Sequence, residues 1–422
     1  MTHKLFHDDP GLRSFTATVL ERGDDGRRLV LDGTAFYATS GGQPHDTGML
    51  RPVVGGEGAR VVDVVEEPTG DEEGGVRIVH HLDGALDVAP GDVVEGEVDG
   101  PRRDDFSVQH TGQHLLSALF ADRHGLSTVS VHFGEEYSTL DLDAPSVAPE
   151  RLREVEAAAN ALIRENRRVL VTLEDPVDAA RRGLRKPSSR SGRLRVVAIE
   201  GVDRSACGGT HVTGTAAIGG VLLGGTERVR NETRITFLCG DRVLRRARED
   251  RECLDETARL LGTTPGKVPT LVEGLRDRVK EAESRLRRLE GELAGVHAAR
   301  LREATPPGAD GVRRIVGPPW GVADLDAGPP PTMETLQALG QALSAFPDVV
   351  LVGVVQDPPQ LLLSVGSGVG DHAGERLRAA VSEVGGRGGG SPSVARGVVP
   401  GAEFLPGVVA RLREAGSTPP DA

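Results

Sequence analysis

The run Gln109-His110-Thr111-Gly112-Gln113-His114-Leu115-Leu116-Ser117-Ala118-Leu119-Phe120 carries two signals at once. Leu115, Leu116, Leu119 and Phe120 form an apolar stripe of helical period, so the segment reads as a helix packed on a core. On such a helix His110 and His114 stand four residues apart, on one face, where two imidazoles can grip one ion. Strand-like runs follow at Thr128–Phe133 and Tyr137–Leu142, then an amphipathic helix at Pro149–Arg167. Further strand-like runs lie at Val196–Ile199, Ala217–Leu223 and Arg234–Leu238. Helices and strands mix rather than alternate, which predicts an α+β fold for this part of the chain.

Upstream, from Ser14 to about Gly100, short β-type runs are cut by Gly and Asp: Phe15–Leu20, Arg28–Leu31, Ala59–Val65 and Val76–His81. Short strands at regular spacing predict a small barrel or sandwich. Downstream, Leu275, Val279, Ala282, Leu286, Leu289, Leu293 and Val296 repeat at intervals of 4 and 3, a heptad seam with charges between. About three heptads suit a helical hairpin arm or short coiled coil, or one helix packed on its own domain. Pro- and Gly-rich punctuation then leads into a last small domain, with helix-like Met333–Ala345, strand-like Val349–Val355 and Gln360–Ser364, and helical Glu375–Glu383. The expected organisation is a β-domain over 1–100, an α+β domain over 101–250, a helical arm over 251–304 and a small α/β domain over 305–422.

A chain of 422 residues has room for several cores. Its hydrophobic fraction of 38% fits a globular protein, and runs such as Val349–Val355 are too short to span a bilayer. The acidic start, without an apolar core, does not read as a signal peptide. Three cysteines, an odd and sparse set, argue against a disulfide framework and for a reducing, cytoplasmic setting. The net charge of −13 opposes long-range attraction of nucleic acid, so any such role rests on local patches. The Arg181–Arg195 run is one patch; a solvated basic surface is its plainer reading.

The second ligand pair is Cys207-Gly208-Gly209-Thr210-His211, a thiolate and a third imidazole at the same separation. Its two glycines point to a tight loop able to close on an ion. Together the two halves make a Cys/His3 set, a tetrahedral type suited to Zn²⁺. The bland alternative is separate histidines with Cys207 a small buried hydrophobe. Cys239 and Cys253 have no such neighbours and read as structural.

At this point a family resemblance becomes visible, and it runs almost end to end. Phe36–Gly48 (FYATSGGQPHDTG), Gln109–Leu116, Asp203–His211 (DRSACGGTH) and Gly385–Gly390 (GGRGGG) are similar to signature stretches of the long-form alanyl-tRNA editing proteins, the AlaX family, and of the editing and C-terminal parts of alanyl-tRNA synthetase. The resemblance implies a small N-terminal β-barrel, a zinc-binding editing domain, and a C-terminal domain associated with tRNA binding or dimerisation. It carries over His110, His114, Cys207 and His211 as zinc ligands. The C-terminal stretch departs from the pattern at Arg387, where Lys is frequent, and at Ser391, where a basic residue is frequent.

The function implied is ATP-independent hydrolysis of mischarged Ser-tRNA(Ala), with Gly-tRNA(Ala) a second substrate. Because the barrel begins within the first residues, no aminoacylation is expected of the chain. Discriminating serine from alanine calls for a buried polar partner. The candidates are Thr128 and Ser130, Thr210 in the Cys-His loop, and Gln109 with Gln113; each reads equally well as a capping or turn residue. Expected RNA contacts are Arg102, Arg103, Arg182, Arg185, Lys186, Arg190, Arg193 and Arg387, and a homodimer through the arm and last domain is expected. Two alternatives stay open: a nonenzymatic zinc-containing tRNA-binding module, and editing of a different aminoacyl-tRNA. A phosphodiesterase is disfavoured by the lack of aspartate-rich metal motifs.

Overall fold

The structure is a computed structural model that describes residues 2–23, 25–69, 75–187 and 192–414. The chain divides into two compact units, Met1–Glu256 and Thr257–Ala422. The boundary falls inside the helix Asp241–Leu260.

In the first unit six strands pair in the order Ser14–Arg22, Arg28–Leu31, Val76–Leu82, Ala59–Pro68, Gly48–Pro52, Val93–Val98. The last pairs with the first, so the sheet is a closed barrel. Alternation explains its core: along Ser14–Arg22, Phe15, Ala17 and Val19 turn inward while their neighbours face out. Phe15 lies across Gly96, where a Cβ would meet its ring at 2.3 Å.

The rest of this unit is α+β. A four-stranded antiparallel sheet runs Val221–Val229, Glu232–Cys239, Ser138–Leu142, Thr128–Phe133. A second sheet of three strands runs Val169–Glu174, Leu194–Ile199, Asp203–Ala206. The helices Gly100–His124 and Pro149–Arg164 share their core, with Leu115, Leu116, Phe120, Val155, Ala159 and Phe237 all buried. The stretch expected as a strand over 217–223 begins instead as a 3-10 turn, Thr215–Ile218. Gly219, at φ 76°, ends that turn, and the strand starts at Val221. Val169–Glu174 is a strand that the pattern reading did not pick out.

In the second unit a helix of 37 residues, Val268–Ala304, precedes a five-stranded sheet. The strand order is Arg313–Gly317, Val349–Val355, Gln360–Val365, Val394–Val398, Arg387–Gly390. The first pair is parallel and the others antiparallel. Helices Met333–Ser344, Ala373–Ser382 and Leu405–Glu414 cover this sheet. Among the described residues no helix is long and apolar enough to cross a membrane.

Candidate metal centre

The helix Gly100–His124 is held at both ends. The Asp99 side chain accepts from the Arg102 N–H at its start, Pro101 occupies the first turn, and Gly125 closes it at φ 67°. In its middle, Gly112 lets the helix approach the end of strand Glu232–Cys239: a Cβ there would meet Cys239 Sγ at 2.3 Å. This close packing fixes the face that carries His110 and His114. Strand Asp203–Ala206 delivers the opposite side, the loop Cys207–His211. The ligand atoms of His110, His114, Cys207 and His211 all lie within 4.8 Å of one another, so the four could hold a metal ion.

The hydrogen bonds behind the cluster fit that role. Gln43 Oε1, which can only accept, takes His110 Nδ1–H at 2.8 Å. Asp203 Oδ2 takes His114 Nδ1–H at 2.9 Å. Thr111 spends its hydroxyl proton on the Ser107 carbonyl at 2.8 Å, so at 3.1 Å from His211 Nδ1 it accepts. Each Nδ1 is therefore a donor to a fixed partner, which leaves Nε2 of each ring as the atom that can ligate an ion. Cys207 Sγ stands 3.4 Å from Nε2 of both His110 and His211. A shell that orients imidazoles from behind is the usual support of a metal site.

The electrostatics agree. Burial opposes ionisation of Cys207, but the neighbouring His110 and His211 outweigh it and hold the thiol well below its ordinary value. Burial, with the charge of His110, lowers His211 to about 3. Burial also works against a charge on His114, but hydrogen bonds to Asp203 and Cys207 raise it to about 10. Without an ion, then, His114 is protonated on both nitrogens and donates to Asp203 and to Cys207. A bound cation would take the place of the proton facing Cys207.

Gln43 arrives from the barrel. Its turn packs against strand Thr128–Phe133: Gly42, at φ 84°, leaves no room for a side chain, since a Cβ would lie 2.7 Å from the Val131 carbonyl oxygen. Gly209 is constrained equally, because a Cβ there would strike the His110 ring at 2.1 Å.

In front of the cluster lies a cavity of about 540 Å³ walled by His110, His114, Cys207, Gly208, Gly209 and, from the strand after the helix, Thr128 and Ser130. Of the candidate pocket residues, Thr128 shares a 2.7 Å hydrogen bond with Ser117, and Gln113 Nε2 donates to that same serine at 2.7 Å. Ser130 Oγ donates to Asp141 at 2.6 Å. Two others sit elsewhere. Gln109 is fully buried and makes a pair of bonds to the backbone of Cys239, at 2.9 and 3.0 Å. Thr210 is also fully buried; its hydroxyl accepts from Gln43 Nε2 and Ser107 Oγ, both at 2.8 Å. Both brace the site rather than line its cavity.

The basic residues divide in the same way. Arg185 and Lys186 line the cavity. Arg185 bonds Asp203 at 2.6 Å and Asp122 at 2.8 Å, while Lys186 Nζ donates to the Thr128 carbonyl at 2.5 Å. Arg103 is withdrawn from any surface: it is fully buried in an ion pair with Asp46 and a bond to the Ala35 carbonyl. Its expected RNA contact is therefore corrected, because a guanidinium enclosed by protein has no face for a phosphate. Arg102 pairs with Glu135 at 3.0 Å and lies over the Phe106 ring. Arg182 is exposed, 3.9 Å from Glu174, and Arg193 donates to the Leu173 carbonyl. Arg387, in the second unit, is exposed on the edge strand. Arg190 lies outside the described residues.

Sequence reading missed Gln43, Asp203 and Ser117. Ser117 had a usable signal, standing one turn beyond His114 on the same helix face. Gln43 and Asp203 are joined to their histidines across 67 and 89 residues, a pairing that spacing does not encode.

Comparison with known proteins agrees with this geometry. The family described as threonyl and alanyl tRNA synthetase second additional domain matches residues 194–235, which include Cys207 and His211. An alanine–tRNA ligase of Pyrococcus furiosus is 33% identical over 301 residues, 69% of this chain and 32% of the relative. One of Halorubrum lacusprofundi is 31% identical over 435 residues, 98% of this chain and 44% of the relative. The alanyl-tRNA editing protein Aarsd1 of Mus musculus is 35% identical over 224 residues, 52% of this chain and 51% of the relative. The chain thus spans about half or less of the length of these relatives. The family match places a segment of the second additional domain of the threonyl and alanyl synthetases at residues 194–235. The chain is AlaX-like, related to the alanyl-tRNA editing proteins and to the corresponding part of the alanine–tRNA ligases.

Proposed function

We propose that this chain is a trans-editing hydrolase that removes serine, and secondarily glycine, from mischarged alanine tRNA. The observation that carries the reading is a His3Cys cluster opening onto a cavity lined by the hydroxyls of Ser117, Thr128 and Ser130. The mouse relative, named an alanyl-tRNA editing protein, supports the same substrate class. Zinc is the ion that a thiolate with three imidazoles suits best. When bound, it supplies Lewis acidity and a fixed positive charge at the cavity wall.

The chain's own residues would do the sorting. Each hydroxyl has one donor and two acceptor positions, so the Ser117–Thr128 pair retains capacity for a third partner. A seryl hydroxyl satisfies it, whereas an alanyl methyl displaces water and leaves it unmet. Arg185 and Lys186 at the cavity meet the phosphates of the 3′ end. We assign further tRNA contact to Arg387 and a homodimer to the helix Val268–Ala304 with the C-terminal domain. The four domains remain as proposed from sequence: barrel 1–100, editing 101–250, arm 251–304 and C-terminal 305–422.

The test is deacylation of Ser-tRNA(Ala), Gly-tRNA(Ala) and Ala-tRNA(Ala) by the metal-loaded protein. Rapid loss of serine with alanine spared is the expected result. A second reading has its own support, since four protein ligands are the mark of a structural metal. If tRNA binds and none of the three esters is cleaved, that reading, a tRNA-binding module, replaces the first.

A further inference from the structure

The loop from Cys207 to Thr210 has its peptide units sorted by direction. Arg195 Nη1 donates to the Cys207 carbonyl at 2.9 Å and to the Gly209 carbonyl at 2.8 Å. His7 Nε2 contacts the Gly208 carbonyl at 3.3 Å. Three successive carbonyls are thus held from one side. These peptides are trans, so each N–H points opposite to its carbonyl. Two of the three N–H groups show it: Gly209 N–H points to Cys207 Sγ at 3.4 Å, and Thr210 N–H to Gln43 Oε1 at 3.1 Å. The remaining one, Gly208 N–H, has no hydrogen-bond partner among the described residues. Its residue forms part of the wall of the metal-side cavity, whereas His7 and Arg195 line a different cleft.

Arg195 is itself unusual. It is 8% exposed, forms no ion pair with a carboxylate among the described residues, and leaves Nε and Nη2 without partners. A buried charge without a carboxylate partner is costly to keep: burial lowers the Arg195 pKa, and the neighbouring Cys207 sulfur opposes this only in part. Here the guanidinium polarises two peptide units, which strengthens their N–H groups as donors.

We propose that Gly208 N–H is an oxyanion donor for the ester carbonyl, and that Arg195, with His7, is the positioning residue that aims it. The inference rests on the deacylase reading above. In that hydrolysis the oxygen of water bonds to the acyl carbon, and the carbonyl oxygen takes up the displaced electron pair. Gly208 N–H stabilises that oxyanion. The C=O bond then reforms, the ester C–O bond breaks with its pair on the ribose oxygen, and a proton from water ends there. Removing one preorganised donor of this kind costs about a hundredfold or more in kcat.

The experiment follows kcat, KM and metal content together on Ser-tRNA(Ala), using the full chain. Arg195→Met is expected to lower kcat about a hundredfold while KM and metal content stay within about threefold. Arg195→Lys, which keeps the charge, recovers part of kcat. Should Arg195→Met fail to fold, amide NMR of the unaltered protein decides. An adenosine carrying a serine phosphonate on its 3′-oxygen, a mimic of the tetrahedral adduct, is expected to shift Gly208 N–H downfield and slow its exchange. An Arg195→Met protein with unchanged kcat, or one losing metal in step with activity, overturns the assignment, as does a Gly208 N–H indifferent to the phosphonate. Unaltered protein that cleaves no ester overturns the proposed function instead.

Discussion

Two long helices in this molecule carry equally regular patterns and have opposite fates. Gly100–His124 is buried along most of its length, from Arg103 through Phe120. Val268–Ala304 buries only Val268, Ala294, Ala298 and Leu301 among its 37 residues. The heptad seam on the second helix stays open: Val279, Leu286, Leu293 and Val296 are each more than half exposed. Its last turns do dock on the C-terminal core, next to Ile315, Leu336 and Leu339, but through Ala298 and Leu301, a face offset from the seam. Periodicity therefore marks a helix and its apolar side, not whether that side is covered. What buries the first helix is its apolar stripe, with Leu115, Leu116, Leu119 and Phe120 in the core, together with close approaches such as Gly112 against Cys239.

The sharpest way to break the comparison is at the metal end of the buried helix. Cys207→Ala removes the sole sulfur ligand, and we expect metal content to fall to near zero and deacylation of Ser-tRNA(Ala) to vanish. Full activity in metal-free protein would end the metal account. Next in size is Leu116→Ala, a fully buried core position. Urea unfolding followed at the first unit should report a loss of about 2–5 kcal/mol. A smaller, more specific effect belongs to Asp203→Asn, which weakens the acceptor behind His114. Chelator competition should register about 10–100-fold weaker metal binding, and an unchanged constant would make that bond incidental.

The smallest effect is expected on the exposed helix. Leu286→Ala, at 56% exposure, should alter unfolding of the isolated chain by no more than about 0.5 kcal/mol. A larger loss that grows with protein concentration would mean that a second copy covers the seam. That outcome would turn the open stripe into the interface assigned to it under the proposed function.

How much of this could be read beforehand differs between ligands and surroundings. The four ligands were legible because each pair sits four residues apart, within one helix or one loop. The mixed α+β character was legible from strand runs on either side of the histidine helix. The residues behind the ligands were not. Gln43 and Asp203 reach their histidines only because a barrel turn and a sheet edge converge on the helix. Gln109 and Thr210 sit inside the motifs, and polarity alone does not separate a residue facing a cavity from one bracing the backbone. Arg103 shows the same ambiguity for charge: its neighbour in space, Asp46, lies 57 residues away. Strand Val169–Glu174 escaped notice because only Glu174 and Val169 are buried in it, so its alternation is faint.

The proposed centre depends on four side chains meeting at one ion. Elemental analysis of the purified chain, paired with X-ray absorption at the zinc edge, measures this directly. We predict one zinc per chain, with one sulfur and three imidazole nitrogens around it. A chain without stoichiometric metal, or a zinc whose shell lacks sulfur, would contradict it.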